Sequence, residues 1–207
     1  QPVRRDLALK SPEPIKFKLA KSLNLFDPLL RNFALPHRKE QYKFPRKNLY
    51  FLETETNSIP FVYSSTPNPS QSVIFIYCHG SGSTLNHVYE FSNNISWKFN
   101  VASIAYDYTG DDKVRNNLKT SKGFKMHSGR AVRQGYDLRR TILCGFSLGS
   151  YSALCLKGQM PRILISPLCG LTSYIEGRPV RYEGEKFDNL GKALELRSKT
   201  WITHCTK

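Results

Sequence analysis

From Asn48 onward, apolar and polar residues alternate with period two: Leu49–Glu53 and Ile59–Ser64 flank a polar turn at 54–58 and predict an antiparallel hairpin. The prolines of Pro67-Asn-Pro-Ser-Gln then interrupt the chain. Val73-Ile-Phe-Ile-Tyr-Cys78 follows as an unbroken apolar run, the pattern of a strand buried on both faces of a mostly parallel sheet. It ends in small residues, His79-Gly-Ser-Gly-Ser83, before a helical stretch to about Trp97. Val101–Tyr108 reads as a second buried strand, and Thr141–Phe146 as a third that runs into a helix over Ser150–Lys157. Later come a strand in 161–167 (PRILISP), an irregular stretch from Leu168 to Gly184, a helix over Phe187–Leu196 and a strand over Thr200–Cys205. Strands alternating with helices predict an α/β class: a doubly wound, mostly parallel sheet headed by the hairpin. Residues 111–140 are rich in lysine and arginine, and the glycines at 123, 129 and 135 weaken any helix, so one poor helix and a mobile loop are expected there. No internal repeat or low-complexity tract is visible.

Residues 1–47 precede the first strand as a basic, proline-punctuated extension to a domain spanning 48–207. Ile15, Leu19, Leu23, Phe26, Leu30 and Phe33 recur at helical spacing, with Lys16, Lys18, Lys21 and Arg31 on other faces. Asp27-Pro28 has the form of a cap followed by proline at the first helical position, which predicts two short helices. Two readings stay open: a helix lying on anionic lipid, or an arm whose apolar face docks on its own domain.

A length of 207 residues suits one domain with a sizeable core plus that extension. No stretch approaches the roughly 18 uninterrupted apolar residues of a membrane span. The chain starts at Gln1 without a signal-type segment, so a removed start or a fragment is expected. The formal net charge of +15 attracts anionic surfaces. With no RNP aromatics, zinc-finger spacing or GXXG loop, a membrane surface ranks first among partners and nucleic acid last, so none is expected to bind. Five cysteines at 78, 144, 155, 169 and 205 form no C-x-x-C pair, which argues against a disulfide framework or a zinc site. No metal or other cofactor is expected. Cys78, Cys144 and Cys205 fall in apolar runs as small buried hydrophobes, which favours a reducing, cytoplasmic setting.

The chemistry concentrates at Thr141-Ile-Leu-Cys-Gly-Phe-Ser-Leu-Gly-Ser150, an apolar strand running into G-x-S-x-G. In a nucleophile elbow the serine, here Ser147, sits on a sharp strand-to-helix turn, and Gly145 and Gly149 supply the small neighbours that turn demands. A serine attacks only when a histidine takes its proton and a carboxylate orients that histidine. The developing oxyanion needs backbone N–H groups. Those would come from Leu148, just after the nucleophile, and from Ser81 in the small-residue loop after the Val73–Cys78 strand. His79 reads as a strand-end residue bonding a neighbouring loop.

On VIFIYCHGSGS, SIAYDYTG, ILCGFSLGS, ILISPL with a following LTS, and KFDNL…LRSKTWITHCT, the chain resembles an α/β-hydrolase of the serine hydrolase class over about residues 48–207. Within that class it is most similar to the α/β-hydrolase domain-containing protein 17 group, enzymes that remove palmitate from proteins at the cytoplasmic face of membranes. The resemblance implies a serine hydrolase of acyl esters or thioesters, with acylated proteins or small acyl esters as substrates. Three departures stand out. Asp111-Asp112-Lys113 replaces a Gly-Tyr-Gly-x-Ser type turn. The group's cysteine-rich lipid-anchoring segment is absent, leaving at most weak contact with anionic membrane through residues 1–47. Trp201-Ile-Thr-His-Cys-Thr-Lys207 resembles the late strand and His-Gly-Thr segment that precede the catalytic aspartate. His204 then corresponds to a structural histidine and Cys205 replaces a glycine. The acid and base are expected beyond Lys207, along with the last strand or strands and helix of the fold, and the chain as written is expected to be nearly inactive.

His37, His87 and His127 lack the sequence position of a base. Glu176 and Asp188 are alternative acids, each with an ordinary reading as a loop or helix charge. Asp107, at a strand end near the site, reads as structural, bonding loop amides. A different class also remains: a non-catalytic α/β-hydrolase-fold binding protein whose basic arm docks an acidic partner or membrane.

Overall fold

The computed structural model describes residues 42–53, 58–65, 72–108, 138–156, 158–170, 173 and 187–204. The expectations for residues 1–41, most of 111–140, Glu176 and Cys205 lie outside that set. Seven strands form one mixed sheet: β1 (Leu49–Glu53), β2 (Ser58–Ser64), β3 (Ile74–Cys78), β4 (Ala102–Tyr106), β5 (Thr141–Phe146), β6 (Arg162–Ile165) and β7 (Thr200–Thr203). Their spatial order is β1-β2-β4-β3-β5-β6-β7. β1 and β2 form the antiparallel hairpin, β2 pairs antiparallel with β4, and β4-β3-β5-β6-β7 are parallel.

Three helices among the described residues connect these strands: α1 (Leu85–Phe99), α2 (Gly149–Cys155) and α3 (Asn189–Leu194). The strand alternation splits the core between the two faces of the sheet. Ile74, Ile76, Cys78, Ile104, Tyr106, Leu143 and Leu164 pack with Ala153 and Leu154 of α2. Val62 and Ala105, pointing the other way, pack with Leu85 and Val88 of α1 and with Phe44. Residues 42–48 therefore belong physically to the folded unit: the Phe44 ring stacks on Tyr89 of α1 at 4.6 Å, and the Lys43 N–H donates to Asn86 Oδ1 at 2.8 Å.

The strands expected from Leu49 onward and the helices expected after β3, after β5 and near 187–196 occur among the described residues, several of them shorter than their apolar runs. The helix expected over 187–196 is confined to α3 because Asp188 caps it, accepting from Gly191 N–H at 2.7 Å. The strand expected over 200–205 is described to Thr203, and Trp201 and Ile202 are exposed on it.

The strand order decides where a site can form. From β3 the chain crosses to β4 on one side, and it returns to β5 on the other side of β3. The loops leaving β3 and β5 thus run to opposite faces, and a crevice opens between them at the carboxyl ends of the strands.

Candidate active site

Ser147 lies at that switch point, between β5 and α2. Its φ of +52° is a left-handed conformation that a serine adopts at a cost of about 1–3 kcal/mol. Surrounding bonds hold it there: its N–H donates to Ile165 O at 2.9 Å on β6, and its carbonyl accepts from Ser150 N–H at 3.0 Å in the first turn of α2. The residue is half-buried, while Leu148 beside it is buried.

Both flanking glycines are required by contact. A Cβ on Gly145 would stand 2.6 Å from Ser150 Cα, and one on Gly149 would stand 1.9 Å from the Cys78 carbonyl oxygen and 2.6 Å from that of His79. The turn therefore presses directly on the end of β3. Gly149→Ala is expected to destabilise the fold by about 3 kcal/mol or more, because backbone oxygens must move and β3 must part from β5. Urea unfolding checks this, and a loss under 1 kcal/mol would mean that the turn relaxes freely.

The loop after β3 reaches Ser147 from the other side. A Cβ on Gly80 would meet the Ser147 Cβ at 3.3 Å and the Phe146 ring at 3.1 Å, so this loop and the serine are in near contact. A turn closes the loop, with Ser83 N–H donating to Gly80 O at 3.1 Å, and Ser81 lies within that turn.

His79 is buried at the end of β3, with Nδ1 2.7 Å from Gly80 O and Nε2 3.1 Å from Asp107 Oδ1. Its carbonyl accepts from the Tyr108 hydroxyl. The ring is thus engaged on both nitrogens, as a loop-bonding residue should be. His87 Nδ1 accepts from Thr84 N–H at 3.2 Å at the start of α1, so it serves the helix end. His204 follows β7, two strand positions from β5. His37 and His127 lie outside the described residues. Of the two alternative acids, Asp188 is committed to the cap of α3.

Arg162 carried no clear sequence signal, whereas Asp107 is the strand-end residue expected to bond loop amides. Arg162 on β6 is fully buried, and its guanidinium donates to Ala153 O at 3.1 Å, Met160 O at 2.8 Å, Leu156 O and Ser198 Oγ. Burial lowers its pKa. Asp107 collects donors from three separate segments, Tyr42, His79 and Leu85.

Cys78 and Cys144 are buried beneath the site, and burial pushes each thiol up to about 12. Cys169, after β6, is exposed. Alkylation of the native protein at pH 8 should modify Cys169 and spare Cys78 and Cys144 until unfolding; mass mapping checks this. Both buried thiols ionise in the unfolded chain near 9.0 but in the native one only at about 12. Between those values the unfolded state releases more protons, so stability should fall as pH rises from about 9 towards 12.

Comparison with known proteins tests what this architecture is. No family model matches the chain. A curated putative alpha/beta hydrolase of Acanthamoeba polyphaga mimivirus is 27% identical over 168 residues, which cover 74% of this chain and 63% of that protein. The chain thus spans less than two thirds of that relative. Among solved structures, an alpha-beta hydrolase from Vibrio vulnificus superposes with a TM-score of 0.62 at 16% identity, covering 86% of this chain and 75% of that one. The chain has the α/β-hydrolase fold. An arylesterase (TM-score 0.55, 13% identity, 89% and 82% covered) and carboxyl esterase 2 from Tuber melanosporum (0.53, 16%, 88% and 67%) share it. In an α/β-hydrolase the strand-to-helix turn after β5 and the loop after β3 are the parts that face the substrate, and here they are the parts in near contact. Among the described residues no group of three or more His, Cys, Asp or Glu could hold a metal ion, and no helix is long and apolar enough to cross a membrane.

Proposed function

We propose that the chain is a serine hydrolase of acyl ester or thioester bonds, S-palmitoyl groups on proteins among them, with Ser147 as nucleophile. The observation that carries the reading is the positive φ of Ser147 at the switch point, in near contact with Gly80. Strain of this kind persists only where the surroundings over-determine it, and it clusters at active sites. The esterase names of two similar structures favour ester-type acyl substrates.

In this reading Ser147 Oγ attacks the acyl carbonyl. The Leu148 and Ser81 amides receive the oxyanion, and collapse of the tetrahedral species expels the alcohol or thiol. Water then releases the acid from the acyl-enzyme. The acid and base follow the order of the fold, Ser then Asp then His. A fluorophosphonate probe applied to the full natural chain should label Ser147, and an acyl-thioester series of increasing chain length should show whether palmitoyl is preferred. Labelling that persists in Ser147→Ala would overturn the nucleophile.

The basic segment before Tyr42 is proposed to add weak contact with anionic membrane, at the cytoplasmic face. Deleting residues 1–41, which spares Tyr42 and Phe44, should weaken binding to phosphatidylserine vesicles, and added salt should weaken it in the intact chain, since exposed charge is screened over about 8–10 Å. Unchanged binding after the deletion would remove the segment from this role.

A further inference from the structure

We infer that Asp107 is a positioning residue for the hydrolytic reaction, holding the loop that carries Ser81 in register with Ser147. The inference rests on the serine hydrolase reading and adds to it a residue outside the nucleophile, its acid and its base. A single oxygen of Asp107 secures both ends of the loop. Oδ1 lies 3.1 Å from His79 Nε2, where the loop leaves β3, and accepts at 3.1 Å from Leu85 N–H, where the loop becomes α1. That amide is one of the first N–H groups of the helix, which lack intrahelical partners, and a carboxylate is favoured beside them. Oδ2 accepts from the Tyr42 hydroxyl at 3.0 Å, which fixes the carboxylate in turn.

The loop has little tolerance for drift. On one side Gly80 already lies so close to Phe146 and Ser147 that even a methyl group would be crowded, at 3.1 and 3.3 Å. Just before it, the Cys78 and His79 carbonyls abut Gly149. Oxyanion donors act through geometry, and a shift near 1 Å costs roughly 10²-fold in rate. A carboxylate that pins both loop ends therefore acts on the transition state through Ser81, without touching substrate.

The test uses the full natural chain and a soluble acyl ester, with active sites counted by fluorophosphonate titration run to completion. For Asp107→Ala, kcat per titrated site should fall about 10- to 100-fold with KM within about twofold. A boronic acid that mimics the tetrahedral species should bind more weakly by the same factor. Asp107→Asn keeps Oδ1 for Leu85 N–H and His79 Nε2, and its Nδ2 can donate to the Tyr42 hydroxyl where Oδ2 accepted from it, so it should recover most of the rate. Asp107→Glu keeps the charge but displaces it by one methylene; it should fold and still lose about tenfold in kcat, which keeps the test decisive if the alanine variant does not fold. Wild-type kcat per titrated site in Asp107→Glu or Asp107→Ala, with only the melting temperature lowered, would overturn the inference while leaving Ser147 in place. If Ser147→Ala instead retains the wild-type rate, the hydrolase reading fails and the inference falls with it.

Discussion

Replacing Ser147 with alanine should lower kcat for ester hydrolysis by the full natural chain about 10⁴- to 10⁶-fold, because it removes the hydroxyl that makes the covalent attack. Binding of the ester should persist, since the loop after β3 and the turn after β5 remain. Ser147→Gly makes the companion measurement more informative. The serine occupies φ +52°, a conformation open to glycine without the Cβ penalty. The glycine variant should therefore be as inactive as the alanine variant, yet more stable than the parent by about 1 kcal/mol after its larger unfolded-state entropy is counted. Loss of activity with a gain in melting temperature would identify the strain as serving catalysis. A glycine variant less stable than the parent would mean that the serine hydroxyl contributes to folding, and the strain would lose its functional meaning.

The second large effect is expected at Arg162. The last carbonyls of α2 have no partners within the helix. Arg162 supplies them from β6 by donating to Ala153 O and Leu156 O, while also reaching Met160 O and Ser198 Oγ. It thereby ties the far end of the helix that follows Ser147 to the segment between α3 and β7. Arg162→Met fills the volume but takes the donor from two buried backbone oxygens, Ala153 O and Leu156 O, at about 1–3 kcal/mol each, and from the part-buried Met160 O. Relief from burying a charge offsets part of that. A net loss of about 3–5 kcal/mol is expected in urea unfolding, a large share of the roughly 5–15 kcal/mol of a typical domain. Arg162→Lys should recover only part of it, since a single ammonium cannot span oxygens on three sides. A loss below 1 kcal/mol for the methionine variant would show that the carbonyls find other donors.

The strand runs, the hairpin and the turn at Ser147 could be read directly from the chain because each is a local requirement. Alternation with period two, an unbroken apolar run, or two glycines around a serine constrain neighbouring residues through sterics that act within a few positions. Element ends were less legible. Asp188 could be read as a catalytic acid until Gly191 N–H appeared on its carboxylate, a contact three residues away that competes with any distant role. Arg162 stands among apolar residues, and sequence alone offers no reason to bury it. Its partners come from 153, 156, 160 and 198, brought together only when α2 ends beside β6.

Asp107 shows the same division. Its sequence neighbourhood marks a strand end and suggests loop amides as partners. The donors it holds are 65, 28 and 22 residues away, and the order β4-β3-β5 places them around it. Periodicity and steric need specify which residues form each element and which face is apolar. Which polar groups then meet depends on how the elements cross over, because a buried hydrogen bond is formed by the convergence of chain segments that carry no mark of one another.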